Sequence, residues 1–320
     1  MNARFVNLIK AVLSIVLLVA VVRTAGIGRT YQTIATLDWR YFLVALLLYL
    51  LGILVRAGRW SALLAAQHIQ VPWKILTQLY FVGAFFNNFL PTGIGGDVVK
   101  MYELSSRSQD APTAISTVLV DRVLGLLVLF AFALVTLPWG WRALSPTVIA
   151  LILALSVGSV IGISLLLNRK LVSWLSHRIS IIRLILSKPK IQAFYSSFHN
   201  YRGQALCNAL LLSLLFNLML IAVTGFIGQS LDARIGLRYY FLFVPIISAL
   251  SALPISLGGL GIREEGYVYL FTQVGVSSAV ALSMSLGFYA VTLLTSLVGG
   301  VIYAVEGLRG YWAGRETAEH

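Results

Sequence analysis

The sequence predicts an all-α polytopic membrane protein with about six full spans and two re-entrant, broken-helix hairpins arranged as inverted repeats. Of its 320 residues, 59% are hydrophobic and only 11% are charged, whereas soluble domains average about 25% charged residues. One motif with proline and paired glycines occurs twice inside apolar sequence. The excess of 24 Lys and Arg over 11 Asp and Glu lies mostly in short loops between apolar runs. These observations predict a single transmembrane domain over residues 1–320.

Six apolar stretches have the length of about 20 residues that a helix needs to cross the hydrocarbon core. They cover about residues 5–25, 41–64, 113–137, 146–167, 205–229 and 278–306. At the start of the first, Arg4 and Lys10 precede the apolar run 11–22, as they would precede a signal-peptide core. No convincing small-x-small cleavage site follows that run, so we expect an uncleaved first span.

Two further apolar runs, about 75–90 and 239–254, end at the repeated motif. Each copy has Leu-Pro, then Gly-Gly and then a cation, and matched positions are 163 residues apart. Breaks of this kind at membrane depth are tolerated only where they line a cavity or are buried in protein. In corresponding places of two halves, they point to a transporter's binding site. The predicted helix-break residues are Pro91, Gly95, Gly96, Pro254, Gly258, Gly259 and Gly261.

A short second helix is expected after each break, over about 96–106 and 262–273. Each unit then forms a re-entrant hairpin, because its first run has about 16 residues and ends in a breaker. The alternative is that each half pairs with its neighbour to cross the bilayer fully. The repeat elements cover about 75–137 and 239–306.

The basic loops predict the orientation. Segment 168–204 carries seven Lys and Arg and no acidic residue, which places it in the cytoplasm. Counting spans outward puts both termini inside, with 15 basic residues in inner segments against 6 in outer ones. The two halves then run in opposite directions, the second hairpin opening to the outside and the first to the cytoplasm. The apolar face of 168–204 predicts a surface helix on the anionic leaflet, with a solvated linker as the alternative.

Ionisable residues inside apolar sequence are the main candidates for a binding site, because a central charge costs about 2.5–3.5 kcal/mol even on insertion scales. Adjacent Asp121 and Arg122 point to different parts of a helix, so each needs another partner, and Lys100 and Asp97 are candidates. The alternative is ion pairing that only locks helices together. The full set is Asp97, Lys100, Asp121, Arg122, Arg263, Glu264 and Glu265.

The chemistry of these residues suits a zwitterionic or phosphate-bearing headgroup. Unpartnered N–H groups at the start of each short helix attract phosphate, and Lys100 and Arg263 add positive charge there. The carboxylates of Asp97, Glu264 and Glu265 could hold an amine. Uncharged hydrogen bonds would come from Asn87 and Asn88. The four scattered histidines lack ligand spacing, so neither a metal nor a cofactor is expected.

Four motifs of the chain together are characteristic of a known family. They are Arg56-x-x-Arg59-Trp60, Asn88-x-x-Pro91-x-x-x-Gly95-Gly96-Asp97-x-x-Lys100, Asp121-Arg122 and Pro254-x-x-x-Gly258-Gly259-x-Gly261-x-Arg263-Glu264. With these motifs, and over nearly its whole length, the chain resembles the transmembrane region of lysylphosphatidylglycerol synthase/flippase and its stand-alone flippase-like relatives. The resemblance implies a membrane domain that carries aminoacylated phosphatidylglycerol, or a related lipid, between leaflets.

A lipid translocase of the cell membrane is therefore the leading hypothesis. No enzyme is expected, because the longest non-membrane stretch has about 37 residues, too few for an aminoacyl-transferase domain. The alternatives are a polyprenyl-phosphate-dependent transferase, a coupled small-solute transporter and a non-catalytic partner of a separate lipid-modifying enzyme. Expected partners are a phospholipid or polyprenyl lipid and the anionic leaflet, with a homo-oligomer left open. Nucleic acid is excluded, because the basic residues follow the positive-inside pattern. Arg56 and Arg59, at the end of the second span, are expected to snorkel to the cytoplasmic face.

Overall fold

The protein is all-helical over the residues that the structure, a computed structural model, describes. These are residues 27–89, 95–107, 111–167, 169–178, 184, 201, 203–252 and 256–316, and they contain no strand. Four stretches among them are long and apolar enough to cross a membrane: Trp39–Ala66, Pro112–Trp139, Gly203–Ser230 and Ser278–Val305. The predicted first span, 5–25, lies outside the described residues, as do Pro91 and Pro254.

Eleven α-helices follow one another along the described chain. They are α1 (Ile27–Ala35), α2 (Trp39–Ala66), α3 (Trp73–Phe89), α4 (Gly95–Arg107), α5 (Ala111–Thr136), α6 (Pro146–Leu167), α7 (Arg169–Arg178), α8 (Gly203–Ser230), α9 (Leu237–Ala252), α10 (Ile262–Thr272) and α11 (Ser278–Glu316). We refer to α2–α5 as the first half and to α8–α11 as the second half.

Local sequence explains where several helices begin. The Asp38 carboxylate accepts the Arg40 backbone N–H at 2.9 Å and so caps α2. Pro146 is the first residue of α6, where its missing N–H costs nothing. Between α9 and α10, residues Gly258, Gly259 and Gly261 have φ of 57°, 78° and 83°. Only glycine adopts this left-handed backbone without strain, so the predicted break is present there.

The predicted runs match the described helices to within a few residues, except that α11 continues to Glu316, whereas its run was predicted to end at 306. The two shorter runs are α3 and α9, which end at Phe89 and Ala252, 163 residues apart. In the basic segment 168–204 the described part includes α7, with Val172 buried and Trp174 58% exposed. Most of that segment lies outside the described residues, so its role as a surface helix stays a prediction.

Helices α2 and α8 pack against each other, antiparallel, along much of their length. At one end the Asp38 N–H donates to the Ser230 carbonyl at 2.8 Å. Further along, Gly52 lies against the Phe216 ring, and Arg59 near the other end of α2 bonds to Ser213. The helices therefore run in opposite directions.

The two halves exchange helix contacts reciprocally. Helix α3 of the first half packs on α11 of the second, and α9 of the second half packs on α5 of the first. The α3–α11 contact is close enough that a Cβ added at Gly299 would lie 1.9 Å from the Phe81 carbonyl oxygen. Within each half the helix after the break also packs on the next one, as α4 on α5 and α10 on α11. Each contact in one half thus has a counterpart in the other.

Candidate functional site

Two carboxylates of the first half are held by cations in the interior. Asp97, in the first turn of α4, accepts the Lys100 ammonium at 2.8 Å and also the Arg122 guanidinium. Asp121 accepts Arg59 Nε at 2.6 Å and the Tyr80 hydroxyl. These ion pairs join α2, α3, α4 and α5 into one polar network. The pairing of Arg122 with Asp97 agrees with the prediction, whereas Asp121 hydrogen-bonds to Arg59 and not to Lys100.

One carboxylate of the second half is also held by a cation in the interior. Glu264, which is fully buried, accepts Arg263 Nε at 3.0 Å and Nη2 at 2.5 Å through the same oxygen. The Ser285 hydroxyl on α11 donates to that oxygen at 3.2 Å. The Arg263 guanidinium also lies over the Tyr289 ring, 4.9 Å from its centroid. Two neighbouring residues of α10 thus form a compact ion pair that is anchored to α11.

Side chains already satisfy an N–H group at the start of each short helix. The Gly96 N–H donates to Asn87 Oδ1 at 2.9 Å, which ties the end of α3 to the start of α4. The Gly261 N–H donates to Glu264 Oε2 at 2.6 Å, as the backbone N–H of the N-cap residue does to the N3 carboxylate in a capping box. For these two groups, the prediction of unpartnered donors that attract phosphate is wrong. Asn88 Nδ2, in turn, donates to the Thr292 carbonyl at 3.4 Å.

Two polar cavities adjoin in the interior. The first central cavity, about 270 Å³, is lined by Arg59, Lys100, Asp121 and Arg122 among others. The second central cavity, about 350 Å³, is lined by Asn88, Ser251, Gly258 and Arg263 among others. Residues from both halves line their shared part: Arg56, Asn87, Phe216, Leu220, Ser248 and Ala252. The sequences that flank the two breaks therefore meet around two adjoining polar cavities.

An apolar groove of about 630 Å³ adjoins the first central cavity. Its walls come from α4, α5 and α6, and include Val98, Leu126 and Gly158. It shares Asp97 and Arg122 with the first central cavity, so one of its ends is charged. This apolar groove could receive a hydrocarbon chain beside a polar headgroup.

Most of the predicted site residues lie at these cavities, and one does not. Asn87, Asn88, Asp97, Lys100, Asp121, Arg122 and Arg263 line them, and Glu264 pairs with one of the lining cations. Glu265 is exposed and lines none of the three spaces described above. Within the described residues no cluster of three or more His, Cys, Asp or Glu could hold a metal ion.

Two arginines of α2 belong to the site although sequence reasoning left them out. Arg59 is only 3% exposed and bonds to Asp121 and to Ser213 Oγ, the latter at 2.9 Å, so the prediction that it snorkels is wrong. Arg56 is half-buried and lines both central cavities, against the same prediction. Their spacing of three residues, which puts both on one helix face, was the signal available in the sequence.

The long apolar helices and the buried ionic cavity define a multi-pass membrane protein. The sequence model described as "Lysylphosphatidylglycerol synthase TM region" matches residues 7–300, and the chain belongs to that family. It is also similar to "UPF0104 membrane protein PH1989" of Pyrococcus horikoshii, with 26% identity over 319 residues that cover 91% of this chain and 94% of the relative.

Proposed function

We propose that this protein is a lipid translocase, not an enzyme, and that it moves a phosphate-bearing lipid between the leaflets of the cell membrane. The observation that carries the proposal is the contact between the charged central cavities and the apolar groove. A lipid presents the same pair of chemistries at the junction of headgroup and acyl chain. A small solute would need no such groove, which favours a lipid over a coupled solute transporter.

Reciprocal packing supports an arrangement of inverted repeats. Helices α2 and α8 precede equivalent breaks, so they are the equivalent helices of the two halves, and they pack antiparallel. An axis that relates two antiparallel equivalent helices is perpendicular to them. If α2 and α8 span the bilayer, this axis lies in the membrane plane, as it does in many transporters.

The same arrangement supports two re-entrant helix pairs, α3–α4 and α9–α10, which meet mid-membrane. Their helices have 17, 13, 16 and 11 residues, below the about 20 that a full span requires. Both termini then lie in the cytoplasm, with the basic segment 168–204 against the anionic leaflet.

The apolar groove offers a direct test of lipid movement. A Cβ added at Gly158 meets no atom within 4 Å, so the side chain of Gly158→Leu would extend into the groove that Gly158 lines. Purified protein in vesicles should accelerate exchange of a fluorescent phospholipid between leaflets, and Gly158→Leu should reduce that rate. Val160→Leu on the same helix is the matched control, because Val160 is 59% exposed and lies outside the groove.

The proposal would be rejected if folded protein in the vesicles accelerated the movement of no phospholipid or polyprenyl-phosphate lipid between leaflets. A non-catalytic partner subunit would give that result. A polyprenyl-phosphate-dependent transferase would instead release a chemically altered lipid, which mass spectrometry of the extracted lipids detects. Equal rates for Gly158→Leu and Val160→Leu would leave translocation standing and would reject the groove as the path of the acyl chain.

A further inference from the structure

Arg56 differs from the other cations of the central cavities. Arg59, Lys100, Arg122 and Arg263 each have a carboxylate partner. Among the described residues, Arg56 has none. Its guanidinium lies over two aromatic rings, 4.9 Å from the centroid of Tyr80 and 5.1 Å from that of Phe216.

Stacking of this kind leaves the hydrogen-bond donors of Arg56 available. The rings contact the faces of the planar guanidinium, whereas its N–H groups point outward along the edge. Arg56 lies where the two central cavities adjoin. An anion in either cavity could therefore receive the paired N–H bonds that suit a phosphate.

The described part of the site carries surplus positive charge. Five cations of the described chain line the central cavities, and three carboxylates, Asp97, Asp121 and Glu264, pair with four of them. The site thus has an excess of two positive charges. The segments 90–94 and 253–255 have no charged residue in the sequence and leave this balance unchanged.

Neutral donors are available beside Arg56, while free carboxylates are not. The Ser251 hydroxyl lines the second central cavity, is buried, and has no hydrogen-bond partner in the described structure. Each carboxylate named above is already held by at least one cation. An amine on the ligand would therefore meet cations and carboxylates that already have a cationic partner, which argues against an amine as the main recognition group.

We infer that the central cavities select a lipid headgroup with net negative charge, and that Arg56 binds its phosphate directly. The inference rests on the proposed function and narrows its substrate class. It favours a phosphodiester or phosphomonoester without a compensating amine. An aminoacylated headgroup such as lysylphosphatidylglycerol, which carries net positive charge, is disfavoured because a buried site repels a like charge strongly.

The test compares three lipids with identical acyl chains: phosphatidylglycerol, phosphatidylethanolamine and lysylphosphatidylglycerol. Wild-type protein in vesicles should move the anionic lipid fastest and the cationic lipid slowest. Arg56→Gln should lower the anionic rate by about tenfold or more, the effect of losing a charge-assisted hydrogen bond. Arg56→Lys should retain part of the rate, since it keeps the charge and loses the paired donors. Arg40→Gln is the control, because Arg40 is exposed at the start of the same helix.

A binding measurement separates this inference from the proposed function. Native mass spectrometry of the solubilised protein with the same three lipids should show preferential binding of phosphatidylglycerol, lost in Arg56→Gln and kept in Arg40→Gln. If no lipid moves but this preference holds, translocation fails and the headgroup assignment stands. Faster movement or tighter binding of lysylphosphatidylglycerol, or an unchanged anionic preference in folded Arg56→Gln, overturns the assignment.

Discussion

The helix pairs α3–α4 and α9–α10 contain the same motif, yet the carboxylate that pairs with its cation comes from a different position in each. In the first, Lys100 pairs with Asp97, three residues earlier on α4. In the second, Arg263 pairs with Glu264, the next residue. At the offset of 163 residues, Asp97 corresponds to Leu260 and Glu264 to Met101. The break and the cation are thus shared, while the carboxylate stands at a different place.

A further position shows how the halves came to differ in charge. Arg122 on α5 corresponds to Ser285 on α11, and both contact the carboxylate of their own half. The first half therefore places a second cation where the second half has a hydroxyl. The positive excess of the described site therefore belongs to the first half, with Arg122 and Arg56, whereas the Arg263–Glu264 pair of the second half is neutral.

Neutralising the paired carboxylate of each half should give the largest difference in stability between the halves. Glu264→Gln should destabilise the protein by about 3–5 kcal/mol, because it leaves the buried Arg263 without a counter-charge. Asp97→Asn should cost less, about 1–3 kcal/mol, because the Asp97 side chain is 13% exposed and borders a cavity. The free energy of unfolding in mixed detergent micelles measures both.

The double variant Arg263→Met/Glu264→Gln tests whether the unpaired charge of Arg263 causes the loss of stability in Glu264→Gln. If an unpaired charge is responsible for the loss, this variant should be more stable than Glu264→Gln alone. A larger loss for Asp97→Asn than for Glu264→Gln would show that the Asp97 network carries more of the stability, against the comparison made above.

Two glycines, one from each break, should differ in how much stability their substitution costs. A Cβ added at Gly96 would lie 1.9 Å from the Gly83 carbonyl oxygen, so Gly96→Ala has to push α3 and α4 apart. We expect a cost of about 3 kcal/mol, the upper part of the range for overpacking. Gly258 has a left-handed φ of 57° but open space around it, so Gly258→Ala should cost about 1–2 kcal/mol. Equal losses in unfolding experiments would mean that the contact between Gly96 and α3 contributes no more to stability than the backbone strain at Gly258.

Hydropathy and the positions of proline and glycine in the sequence predicted the helices well. Run 205–229 corresponds to α8, Gly203–Ser230, because the length of an apolar run determines how much helix it can form. The break after α9 was also predictable, since three glycines within four residues favour left-handed backbone. The buried charges of the site stood out because they interrupt apolar sequence.

Contacts between distant helices were not predictable in this way. Arg59 bonds to Ser213, 154 residues further along the chain, and nothing in one sequence says that α2 and α8 touch. Without that contact, an arginine at the end of a span reads as a snorkelling residue. Hydropathy reports the depth of a residue in the membrane, whereas the partner of a charge depends on which helix faces it.

Arg122→Ser would make the first half resemble the second at this position. Arg122 has a 32% exposed side chain, so its pair with Asp97 should contribute less than about 1 kcal/mol to stability. The excess charge of the site would fall by one, so we expect slower transport of phosphatidylglycerol at nearly unchanged stability. Lys74→Ser, a cation exposed at the start of α3, is the control. A large loss of stability with unchanged transport would assign Arg122 a structural role instead.

Glu265→Gln should have the smallest effect of all, although the sequence groups Glu265 with its buried neighbour. Glu264 points into the protein and caps α10, while Glu265, one residue further round the helix, is exposed and lines none of the cavities. A substitution at such a position usually changes stability by less than about 0.5 kcal/mol. Unfolding experiments and lipid transport should both match the wild type. A loss of transport in Glu265→Gln would instead mean that a negative charge outside the cavities takes part in substrate binding, and the positive excess of the site would then be smaller than the structure indicates.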